Sequence, residues 1–178
     1  MLKQQYFAPN HLFMDDTPYF ITGAIYRKRH LLATDELKTR LLSLIKQSFE
    51  ARGWQLDHWV ILNNHYHLLG ISKEGRDLTK IIQEIHSKSA LWIRQKTQCE
   101  LPVWWNYWDY CPRNEEEYLI RLNYLLTNPI KHGYVKNLND YIHSSFQKSF
   151  NQMGRDALIR QFKNYSEYKD LIIEEDNL

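Results

Sequence analysis

The stretch "WQLDHWVILNNHYHLLGIS", Trp54 to Ser72, carries the decision about the fold. Its first half is rich in Trp, Val, Ile and Leu, and that character resumes after Asn63-Asn64. β-Branched and aromatic residues favour extended backbone, and Asn favours turns. The segment therefore reads as two strands joined by an Asn-Asn turn, although a bulge within one long strand fits the same residues. Side chains alternate along a strand, so His65 and His67 share one face while Tyr66 and Leu68 take the other. Tyr66 is assigned to the core.

Upstream, "TPYFITGAIY" (Thr17 to Tyr26) is short, β-branched and aromatic, and predicts a first strand. In "ATDELKTRLLSLIKQSFEARG" the helical period runs through Leu37, Leu41, Leu44, Ile45 and Phe49, with Thr34 as N-cap and Gly53 as stop. Downstream, "DLTKIIQEIHSKSALWIRQKTQ" predicts a second helix from Asp77, and "VWWNYWDY" (Val103 to Tyr110) a fourth strand. A third helix, "NEEEYLIRLNYLLTNP", opens at Asn114, with Glu117 completing a capping-box pattern. Pro129 biases Asn128 away from helical backbone, so this helix is predicted to end there. Beyond Gly133, "GRDALIRQFKNYSEYKDLII" predicts a terminal helix, followed by the acidic "EED". The order strand, helix, two strands, helix, strand, helix implies an α+β sandwich with a central antiparallel sheet.

At 178 residues and 43% hydrophobic content the chain fits about one globular domain. No apolar run approaches the roughly 18 residues that cross a bilayer, and "MLKQQYFAPN" has no signal-peptide core. Cys99 and Cys111 form no CxxC pattern. These features predict a cytoplasmic protein. The net charge is only +2, but "RKRH" at Arg27 to His30 is densely basic, and there are 6 Trp, 12 Tyr and 7 Phe. Cations interleaved with aromatic rings suit single-stranded nucleic acid; solvated charges around an aromatic core give the same composition.

The third helix carries an apolar stripe through Tyr118, Leu119, Leu122, Leu125 and Leu126. Stepping about 100° per residue puts Glu117, Arg121, Tyr124 and Asn128 on a different, polar face. Tyr124 is therefore expected to be a presented phenol rather than a core ring, stacked one turn before Asn128. Arg121 suits a phosphate, or equally an ion pair with Glu117. The histidine pair admits a metal platform, a proton-handling site or two satisfied core imidazoles. The spacing of His58, His86, His132 and His143 gives them no role.

In this order and spacing the motifs resemble a known family. "NHYHLL" is a His-hydrophobic-His (HUH) motif, and "YLLTNPIKHGYV" is similar to the Tyr-x3-Asn-Pro-x3-Gly region of the HUH single-tyrosine transposases. The REP-associated tyrosine transposase branch is the nearest likeness, with "YFITGAIYRK", "VWWNYWDYCPRNEEEY" and "HSSF" in matching places over roughly Thr17 to Phe150. The resemblance implies a ferredoxin-like catalytic domain over 1–150, with 151–178 as a C-terminal helical tail. It implies that His65 and His67 bind a divalent metal, Mg²⁺ or Mn²⁺, with Asn128 as third ligand and Tyr124 as nucleophile. The expected partner is single-stranded or hairpin DNA, gripped by Arg27, Lys28, Arg29 and Arg121, and the protein is a monomer or homodimer. The implied activity is cleavage and rejoining of a DNA strand through a 5′-phosphotyrosine. A domesticated relative that binds nucleic acid without cutting it is the alternative.

Overall fold

The computed structural model describes residues 13–173, so the acidic 174–176 and the amino-terminal decapeptide lie outside the described residues. The chain runs β1 (Pro18–Ile25), α1 (Asp35–Glu50), β2 (Gln55–Ile61), β3 (His65–Ile71), α2 (Leu78–Thr97), β4 (Trp104–Tyr110) and α3 (Glu115–Lys131). Two further helices follow, α4 (Phe146–Met153) and α5 (Arg155–Asn164). The strands form one sheet in the order β2-β3-β1-β4, and every pairing is antiparallel. This is the α+β sandwich implied by the order of elements, in the ferredoxin-like form implied by the resemblance. The segment Trp54 to Ser72 resolves into two strands and a turn, closed by the Leu62 N–H donating to the His65 carbonyl at 2.8 Å.

Both central strands are buried on both faces, which is why "YFITGAI" and "HYHLLG" read as nearly unbroken apolar runs. One face carries Ile21, Ile25, Tyr66, Leu68 and Trp104 into a core with Leu41 and Ile45 of α1 and Ile81 and Ile85 of α2. Tyr66 is in that core, and its hydroxyl lies 2.9 Å from His86 Nε2. The other face carries Phe20, Val60 and Leu69 against Leu122, Tyr124, Leu125 and Leu126 of α3, joined by Phe146 and Leu158.

Caps fall where the sequence predicts them. Thr34 Oγ1 accepts from the Leu37 N–H, and Asn114 Oδ1 accepts from the Glu117 N–H at 2.9 Å. Gly53 takes a left-handed φ of 67° just past α1. The expected stop at Asn128 does not occur, because α3 continues through Pro129 to Lys131. A proline in the last turn forfeits one backbone donor but leaves the following turn able to close, as the His132 N–H does on the Asn128 carbonyl at 3.0 Å. The segment after α3 turns back onto the outer edge of β2. There the Ile61 N–H donates to the His143 carbonyl and the Ser145 N–H to the Trp59 carbonyl, covering an edge that would otherwise be open. No helix among the described residues is long and apolar enough to cross a membrane.

Candidate active site

His65 and His67 point from the middle of the sheet toward α3, their ring centroids 4.9 Å apart. Both are buried, and each is oriented through its Nδ1. His65 Nδ1 lies 2.8 Å from Asn64 Oδ1, and His67 Nδ1 lies 2.8 Å from Thr22 Oγ1, directly across on β1. With these oxygens accepting, the ring protons sit on Nδ1 and the lone pairs on Nε2, the form that ligates a cation. Phe20 stacks on His67 at 5.3 Å. Burial, reinforced by His65, His132 and Lys131, pushes His67 well below its ordinary value and keeps it neutral.

Asn128 arrives from α3. Its Oδ1 lies 3.2 Å from His65 Nε2, and its Nδ2 is buried without a hydrogen bond among the described residues. Two acceptors facing each other at that distance repel unless a proton or a cation lies between them. The donor set therefore fits a divalent ion held by two imidazoles and an amide oxygen. Among the described residues no group of three or more His, Cys, Asp or Glu side chains is arranged to hold a metal, which leaves the Asn128 amide oxygen as the third protein ligand at hand.

Tyr124 reaches the same place, but not as the presented phenol expected from the helical wheel. It is only 1% exposed, with its ring edge-on to His67 at 5.4 Å and to Phe20 at 6.3 Å. The correction has a simple cause. α3 is covered by β2 and β3 on one side and by α5 and the segment after it on another, so its flanking positions are enclosed too. A polar flank can be buried when what it meets is a polar site.

The continuation of α3 past Pro129 brings in a residue that the sequence reading missed. Lys131 Nζ donates to Tyr124 Oη at 2.9 Å. Its seven-residue offset from Tyr124, two helical turns, was the available signal, hidden by the premature stop. The His132 ring sits 5.0 Å from His65. Thr22 and Asn64, which orient the imidazoles, were also not anticipated.

The predicted basic residues divide. Arg27 and Lys28 are exposed in a short turn after β1, with the Lys28 carbonyl 3.4 Å from Asn64 Nδ2, so this turn abuts the histidine pair. Arg29 braces the fold instead, donating to the carbonyls of Tyr26, Glu100 and Pro102. Arg121 does not pair with the Glu117 carboxylate. Its guanidinium lies 3.3 Å over the Tyr110 ring, while Arg113 and the Tyr110 hydroxyl hold Glu117 and bring its carboxyl down to about 2.

The pattern of the IS200-like transposases matches residues 19–111, just over half of the chain. The chain belongs to the IS200-like transposase family. The matched residues include the histidine pair and end before α3. The transposase is also 28% identical over 136 residues to a REP-associated tyrosine transposase of Escherichia coli (strain K12), covering 73% of this chain and 76% of that one. Its fold matches that of a REP-associated tyrosine transposase solved bound to a REP hairpin, with a TM-score of 0.68 at 24% identity, over 82% of this chain and 86% of the other.

Proposed function

We propose that this transposase cuts and rejoins single-stranded DNA at hairpin or repeat sequences, with Tyr124 as the nucleophile. The observation that carries the reading is the convergence of Tyr124, Asn128 and the histidine pair within one chain. Attack by Tyr124 Oη on a phosphodiester forms a phosphorus–oxygen bond to the tyrosine. The bond to the departing 3′-oxygen breaks, that oxygen takes up a proton, and the phenol loses one. The product is a 5′-phosphotyrosine and a free 3′-hydroxyl. Attack by another 3′-hydroxyl reverses the step and rejoins strands without an external energy source.

A phenol with an ordinary pKa of about 10 is a weak nucleophile near neutral pH. Lys131 holds Tyr124 Oη and favours negative charge there, both as it attacks and as it later departs. His65, His67 and Asn128 would hold the divalent ion, which as Mg²⁺ or Mn²⁺ supplies Lewis acidity toward a phosphate oxygen. Thr22 and Asn64 keep the imidazoles aimed and in the correct tautomer. Arg27 and Lys28 track the backbone phosphates beside the site. Because tyrosine and histidines meet within one chain, the reading favours a monomer acting in cis. Its place of action is the cytoplasm, with the DNA.

Hairpin oligonucleotides labelled at the 3′ end test this in Mn²⁺ or Mg²⁺ on denaturing gels. A labelled band shifted by the mass of the protein is expected, absent in Tyr124→Phe and in His65→Ala. An adduct that persists in Tyr124→Phe overturns the assignment, and salt-sensitive binding without any adduct favours the non-cleaving alternative.

A further inference from the structure

The sheet face that bears the histidines does not end at β1. Directly paired residues on neighbouring strands project to the same side. His67 pairs with Thr22 and Thr22 with Trp108, while Leu69 pairs with Phe20 and Phe20 with Tyr110. The two rows therefore extend the histidine face across β1 onto the edge strand β4. Trp108 sits at the end of the row containing His67, two strand spacings or roughly 10 Å away. α3 lies over β2 and β3, leaving Trp108 and Tyr110 half-buried rather than enclosed. None of the hydrogen bonds among the described residues uses the Trp108 indole N–H.

The charges on this shelf favour an anionic strand. The Arg121 guanidinium lies 3.3 Å over the Tyr110 ring, and Glu117, which accepts from the Tyr110 hydroxyl, is neutralised by Arg113. Asp109 pairs with Ile21 and so projects to the opposite face. What remains is an indole, a phenol ring and a guanidinium plane continuous with the residues that would meet a phosphate.

We propose that Trp108, together with the Tyr110–Arg121 stack, forms a floor on which an unpaired base beside the scissile phosphate stacks. The choice of ligand rests on the strand-cutting reading. Stacking on a ring face is tolerant of sequence, because every base presents a π surface, and it adds affinity that the phosphates alone do not supply. Such a floor would hold the strand so that its neighbouring phosphate falls at the histidines.

The test measures equilibrium binding of a fluorescent oligothymidylate and of an abasic strand of equal length, which keeps the phosphates and removes the bases. The wild-type protein is expected to prefer the base-bearing strand, and Trp108→Ala to lower that preference by roughly 5- to 150-fold, the range for one stacked base. Trp108→Phe should restore most of it, and the abasic strand should bind both variants as it binds the wild type. Thermal melting identifies unfolded protein, and Trp108→Phe keeps the test valid if Trp108→Ala does not fold. Equal preference in wild type and Trp108→Ala overturns the proposal, as does a wild type with no preference for bases, or a folded Trp108→Phe that loses it completely. Absence of a tyrosine adduct would leave these binding results unchanged, so the two readings fail separately.

Discussion

Lys131 touches the candidate nucleophile directly, through a 2.9 Å hydrogen bond to Tyr124 Oη. A cation there matters most when the phenolic oxygen carries charge, so removing it should slow the chemical step and spare DNA binding. Lys131→Met is expected to reduce the rate of adduct formation by about 100- to 1000-fold, the range for losing one donor aimed at developing charge. Lys131→Arg should recover part of it. Single-turnover adduct formation at saturating oligonucleotide measures this, and an unchanged rate in Lys131→Met would remove Lys131 from the mechanism. The family resemblance, rather than local spacing, drew His65, His67, Tyr124 and Asn128 together as candidates, since spacing by itself left each open to a structural reading. Lys131 was not legible because a general rule about proline was applied to the last turn of a helix, where it is weakest. Thr22 was not legible either, since its partner His67 lies on another strand and no local pattern reports that register.

At the scale of elements, β1 depends on an absence. Gly23 faces Tyr66 across the sheet, and a Cβ there would meet the Tyr66 ring at 2.3 Å. The Tyr66 ring is fixed in turn by Trp104 and by its hydrogen bond to His86. Gly23→Ala is therefore expected to destabilise the fold by about 1–3 kcal/mol through overpacking. Chemical denaturation reads this out, and a variant as stable as the wild type would show that Tyr66 yields readily. The elements themselves were legible from periodicity, caps and turn residues. What periodicity could not report was how many sides of α3 are covered, which depends on where the chain after residue 133 returns. That is why Tyr124, placed on a polar flank by its angle, is buried.

Across the whole molecule, the chain after α3 is tied back into the structure. Gln161 of α5 donates to Asn123 of α3 at 2.7 Å, and Asn123 donates in return to the carbonyls of Gln161 and Tyr165. Two half-buried histidines, His58 and His86, lie on opposite faces of the sheet. Burial pushes His58 down to about 4 and His86 to about 3, so both are neutral in the folded protein near neutral pH. In the unfolded chain each takes up a proton below about pH 6.5. The unfolded state then binds protons that the fold excludes, so stability is complete above roughly pH 6.5 and declines as the pH falls toward 4. Melting temperature should drop across that window, and His86→Gln should flatten the slope. A melting temperature independent of pH over the same range would contradict the neutral state of these rings in the fold.

The burial of Tyr124 also bears on the fate of a covalent intermediate. A phosphotyrosine can be resolved by a DNA 3′-hydroxyl, which restores a strand, or by water, which leaves a broken one. With its ring edge-on to Phe20 and to His67 and only 1% of the residue exposed, Tyr124 would keep the ester oxygen where bulk solvent has little access. A 3′-hydroxyl on a strand already bound at the site arrives at high local concentration, whereas water gains no such advantage. On the proposed mechanism, the depth of one side chain would bias the partition toward joining, where hydrolysis would leave lesions in place of rearrangements.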